Sequence, residues 1–78
     1  MTKHFPVVAG ALVRRTLRQF LDRQRFLHNG QMEIAYNETK RLLESEFLVR
    51  LRGPETLVRA WCAATRDMLD EWSREEEG

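Results

Sequence analysis

Between Gln31 and Arg52 apolar residues fall on every second position, whereas on either side they recur with the period of a helix. Met32, Ile34 and Tyr36 alternate with Glu33, Ala35 and Asn37. Leu43, Phe47, Val49 and Leu51 alternate with Glu44, Glu46, Leu48, Arg50 and Arg52. Side chains along a strand point to opposite faces in turn, so the rhythm predicts two strands, over about 31–37 and 45–52. An antiparallel register pairing Met32 with Leu51, Ile34 with Val49 and Tyr36 with Phe47 gathers the large apolar residues on one face and sets Glu33 opposite Arg50. The joining loop, about Thr39 to Glu44, lacks a tight-turn pair such as Asn-Gly. Leu43, Phe47, Leu48 and Leu51 also fit helical spacing, with Gly53-Pro54 as a stop. A middle helix of about 38–52, giving an all-α three-helix bundle, is therefore the alternative.

The flanking segments read as amphipathic helices. The first is expected over about 7–28, opened by Pro6 and closed at Asn29-Gly30, with Val13, Leu17, Phe20, Leu21, Gln24 and Leu27 on its core-facing arc. Val8, Leu12 and Phe26 gather on nearly the opposite side. After the turn at Gly53-Pro54-Glu55, the last helix is expected over about 54–74. Leu57, Trp61, Ala64, Met68 and Trp72 form its stripe, which Val58, Cys62, Thr65 and Leu69 widen beyond what one neighbouring element covers. Residues 75–78 should fray. The expected fold is α+β, in the order α-β-β-α, with a two-stranded antiparallel hairpin packed against both helices.

Seventy-eight residues make one small domain, and chains of this size usually supplement their core with disulfides, metal or a partner subunit. Cys62 is the sole cysteine, so no disulfide forms within the chain, and its place on an apolar helix suits a buried, inert thiol. A lone thiol fits a reducing compartment. The short apolar run from Phe5 to Val13 is broken by Pro6 and Gly10 and followed by its arginines, unlike a secretory signal. No stretch is long enough to span a bilayer. The expectation is a cytoplasmic protein with no membrane partner, in which the sequon Asn37-Glu38-Thr39 is incidental.

Candidate chemistry is sparse. His4 and His28 lie far apart, and no CxxC, HExxH, phosphate loop, EF-hand or GxSxG pattern occurs. Carboxylates follow solvated faces. No catalytic residue, metal ligand or cofactor is assigned, and the chain is read as non-enzymatic.

Charge is distributed more tellingly than its total of +1. Residues 1–30 hold six lysines and arginines against Asp22, while residues 53–78 hold three arginines against seven acids. Arg14, Arg18 and Arg25 share one side of the first helix, a ridge able to meet nucleic-acid phosphates. The acidic C-terminal segment and the low net charge favour pairing or solvation over that use. Large anchors such as Trp61 and Trp72 occur both in cores and at interface centres. Leu57, Trp61, Met68 and Trp72 are accordingly the candidate interface. A two-stranded hairpin leaves both edges open, so joining two copies edge to edge would relieve the thin core, the open edges and the wide stripe together. The leading expectation is a homodimeric interaction module; a small nucleic-acid-binding or regulatory protein using Arg14, Arg18 and Arg25 is the alternative.

Overall fold

A computed structural model of the chain describes residues 1–75, with side chains described through Asp70. Five elements follow in order: β1 (Thr2–Gly10), α1 (Arg14–Leu27), β2 (Glu33–Lys40), β3 (Glu44–Arg52) and α2 (Glu55–Glu75). The strands form one antiparallel sheet in the order β1-β3-β2. The α+β class and the central hairpin stand as expected. The sheet has three strands where two were expected, and the middle segment is not a helix.

The additional strand comes from the segment expected to open the first helix, which begins at Arg14 rather than near residue 7. Phe5, Val7 and Ala9 alternate inward while His4, Pro6 and Val8 point out, a period of two that the prolines-start-helices rule obscured. Pro6 is tolerated because β1 is an edge. The bonds flanking the strand, Gly53 N–H to Met1 O and Ala11 N–H to Leu43 O, both at 3.0 Å, show odd-numbered residues facing β3. Pro6 therefore turns its missing donor to the outer side, where no ladder bond is lost.

The hairpin register differs from the expected one by two residues: Ile34 faces Leu51, Tyr36 faces Val49 and Glu38 faces Phe47. An even shift preserves the side each residue occupies, so the alternation survives the correction. The cause is the turn. Arg41 N–H donates to Glu44 O at 2.8 Å, leaving Leu42 and Leu43 at a tight tip and extending β2 through Lys40. The Glu33–Arg50 ion pair forms even so, diagonally, since Glu33 lies opposite Arg52.

Both helices lie on one face of the sheet, where β3 contributes Ser45, Phe47, Val49 and Leu51, all fully buried. Leu17 and Leu21 of α1 and Val58, Trp61 and Leu69 of α2 close over them, with Val7, Ala9 and Ile34 from the flanking strands. Val13 and Phe20 pack at the margin as the helical arc predicted, but Leu27 is 60% exposed, because α1 ends there and the chain turns away. Gly30 makes that turn at φ +88°, the left-handed conformation expected after Asn29. At the exit from β3, a Cβ on Gly53 would fall 2.9 Å from Met32 Cβ, so only glycine lets the two backbones approach there. Val58 N–H then donates to Pro54 O at 3.0 Å as α2 starts.

β1 pairs the edge of β3 that was expected to be open and lies under α2, with the Phe5 ring 6.3 Å from Trp61; it covers the Trp61 side of the stripe expected to need a second subunit, while Leu57 stays exposed and Met68 half-buried. Trp72 lies outside the described side chains, and of the tail expected to fray, residues 76–78 lie outside the described residues.

Candidate functional site

Three regions hold the residues singled out from the sequence. The first is a polar cluster at the margin of the covered face. Because β2 runs to Lys40, Glu38 follows Ile34 and Tyr36 on the side facing α1, and Arg18 reaches it from one turn above Leu21. The guanidinium grips the carboxylate through both oxygens, Nε to Oε1 at 2.8 Å and Nη2 to Oε2 at 2.9 Å, and the buried Ser45 hydroxyl donates to Oε2 at 2.8 Å. The Arg18 hydrogen bond, assisted by Ser45, holds the Glu38 carboxyl below its usual range, and the same bond raises Arg18. A carboxylate with all these donors is a poor proton acceptor, so the cluster is built to hold elements together. Beside it the Tyr36 hydroxyl donates to Asp22 Oδ1 at 2.7 Å. Burial, followed by that bond, pushes the phenol up to about 12.

The ridge expected from Arg14, Arg18 and Arg25 is thus divided. Arg18 is engaged with Glu38, and Arg14 donates from Nη1 to Arg41 O at 3.0 Å, tying α1 to the hairpin tip. Arg25 is exposed in the last turn of the helix. Glu38 itself was missed. The signal was its place in the even-numbered sequence Met32, Ile34, Tyr36, which a strand ended at residue 37 cut short.

The second region is the groove between the helices, about 410 Å³, with Leu57, Trp61 and Met68 among its walls. Trp61 is 5% exposed and forms its floor: Nε1–H donates to Gln24 Oε1 at 2.9 Å, and the Phe5 and Phe20 rings flank it, each 6.3 Å away. Of the stripe proposed as an interface, Trp61 belongs to the core, Met68 is half-buried and Leu57 lies at the rim. Cys62 is half-buried on the side of α2 toward β1.

The third region is the opposite face of the sheet, on which no described element packs. The register arranges it in rows across β1, β3 and β2: Thr2, Arg52 and Glu33; His4, Arg50 and Ala35; Pro6, Leu48 and Asn37; Val8, Glu46 and Thr39. The last row holds Gly10 and Glu44, with Arg41 beside Glu44 across the turn. Leu48 and Val8 are 45% and 43% exposed at the middle of this face. Basic groups crowd one end of β3 and acidic groups the other. At the acidic end Leu12, Leu42 and Leu43 are also exposed, brought near one another by the Ala11–Leu43 bond.

Among the described residues no group of three His, Cys, Asp or Glu side chains is placed to hold a metal, and no helix is long and apolar enough to cross a membrane. The chain matches no family model, no curated protein and no solved structure.

Proposed function

We propose that this chain is a small, non-enzymatic interaction module that associates with a second copy of itself. The observation that carries the reading is the uncovered face of the sheet. An antiparallel sheet tolerates water on one side, and such a side is ordinarily polar along each strand. Here the central row is Pro6, Leu48 and Asn37, with Val8 and Ala35 one row to either side, so apolar groups stand at the middle of the face while charge gathers toward both ends of β3. Of the helix stripe and open hairpin edges expected to drive association, β1 covers the Trp61 side of the stripe and pairs one hairpin edge, so the uncovered sheet face carries the reading instead.

The non-enzymatic part of the reading draws support from the way the polar groups under cover are used. Arg18, Glu38 and Ser45 satisfy one another, Gln24 satisfies Trp61, and the Thr65 hydroxyl donates to Trp61 O at 2.8 Å. Catalysis needs groups aimed at a shared vacant point. The nucleic-acid reading loses its central member, because Arg18 would have to leave Glu38 to meet a phosphate.

Sedimentation velocity of the full chain from low micromolar to near-millimolar concentration tests the proposal. A weight-average mass rising from monomer toward dimer is expected; a monomer throughout refutes it.

A further inference from the structure

The charges of the open face have an order that β3 displays most simply: along its exposed side run Glu44, Glu46, Leu48, Arg50 and Arg52. We infer that two copies stack open face to open face about a two-fold axis lying across the strands, along the row of Pro6, Leu48 and Asn37. This arrangement rests on the self-association proposed above and specifies it.

A two-fold in that position reverses each strand and keeps the lateral order, so β3 lies over β3. Leu48 then meets Leu48 of the second copy. One row out, Glu46 meets Arg50; two rows out, Glu44 meets Arg52. On β2 the same operation carries Glu33 onto Arg41, whose place beside Glu44 is fixed by the turn bond. Every formally charged residue on the face faces one of opposite sign. On β1, Val8 covers His4 and Pro6 covers Pro6. A foreign partner would have to carry this signed sequence in reverse, whereas a second copy carries it by symmetry, and a closed two-fold needs just such a self-complementary patch. Sheets that pack face to face keep their strands nearly aligned at about 10 Å, close enough for the central leucines to touch while Glu and Arg reach across.

Size sets the strength. Three strands about 4.8 Å apart and nine residues of about 3.3 Å each cover roughly 400 Å², well under the about 800 Å² per partner of a standard interface. A weak dimer follows, sensitive to salt because most of its contacts are between charges.

The decisive experiment uses two double variants of the full chain, Glu44→Arg with Glu46→Arg, and Arg50→Glu with Arg52→Glu. The first presents four positive charges along β3 and the second four negative ones. Each alone should lose at least tenfold in association constant by sedimentation, and an equimolar mixture should form a heterodimer at least as tight as the wild-type dimer. Wild-type association retained by either folded variant, or a mixture of folded variants that stays monomeric, overturns the arrangement. If either variant fails to fold, isotope-filtered NMR on a mixed-label wild-type sample decides. Intermolecular contacts between Leu48 methyls are expected, and their absence in a sample that is mostly dimer overturns the arrangement. A wild-type dimer indifferent to the charge reversals leaves self-association standing and removes this face from it; a wild-type monomer ends both.

Discussion

Along β3 neighbouring residues live in opposite surroundings. Ser45, Phe47, Val49 and Leu51 are fully buried beneath two helices, while Glu44, Glu46, Leu48, Arg50 and Arg52 stand on the uncovered side. The backbone, the strand partners and the register are common to both sets. What separates them is whether a complementary surface exists within the chain. On the covered side, shape decides: Leu17, Leu21, Val58 and Trp61 join Phe47 in the core, and Glu38 at its margin is gripped by Arg18 and Ser45. On the open side no described element supplies such filling, and the proposed contact is specified by the order of charge. The buried apolar core therefore lies on one face, and under the proposed association the other face is the one that meets a second copy.

The largest expected effect contrasts two adjacent residues. Phe47→Ala removes a fully buried ring from the middle of the core and should cost about 3–5 kcal/mol of unfolding free energy, read from urea titrations. Leu48→Ala should change stability by less than about 0.5 kcal/mol, since the side chain is already half in water. Its effect should appear as weaker association. Equal destabilisation by both variants would mean that the open face contributes to folding and would break the comparison.

The same contrast explains what could be read from the chain. Alternation at 32–36 and 43–51 identified both hairpin strands and the side each residue occupies, because parity needs no knowledge of the turn. Register did need it, and Arg41 to Glu44 carries no glycine or asparagine to announce a tight turn. β1 was hidden by Pro6 and Gly10, which mark helix starts and turns in most settings. An edge strand excuses a missing donor, and whether a strand is an edge is a property of the assembled sheet. The candidate residues divide along the same line. Trp61 could be placed on an apolar stripe, but which part of the stripe stays uncovered depended on β1. Arg18 could be placed on a ridge, but its partner Glu38 came into reach only through the extended β2. The signed order of β3 is present in the sequence, but which of its two sides the described helices cover is a property of the assembled sheet.

A smaller effect concerns the charge held under the helices. Arg18 and Ser45 lower the Glu38 pKa in the folded state, so its contribution is present above the unfolded value, 4.5, and is lost as pH falls through the folded one. Glu38→Gln should reduce stability at neutral pH by about 1 kcal/mol, and the gap between variant and wild type should close as the pH is taken below that range. The Glu33–Arg50 pair supplies the control on the open face, where both side chains are about half exposed. Glu33→Gln should leave the stability of the monomer nearly unchanged at moderate salt. A gap for Glu38 that is independent of pH would show that its carboxylate acts by shape alone.

The smallest effect lies at the boundary of the two environments and has a clean readout, because Tyr36 is the sole tyrosine. Its ring packs on Phe47, with centroids 5.8 Å apart, while its hydroxyl reaches the exposed rim to donate to Asp22. Burial disfavours the phenolate and the neighbouring carboxylate repels it, so absorbance near 295 nm should titrate with a midpoint of about 12 in the folded chain instead of 10.0. The sign follows from linkage: a raised phenol pKa adds stability that is complete below 10.0 and disappears as pH rises through about 12. Asp22→Asn keeps a hydrogen-bond acceptor and removes the charge, so the midpoint should fall part of the way toward 10.0. Burial is the larger cause, so the variant should retain most of the shift. A complete return to the ordinary value would mean that the carboxylate alone sustains it, and that the covered face already admits water at Tyr36 rather than beyond it.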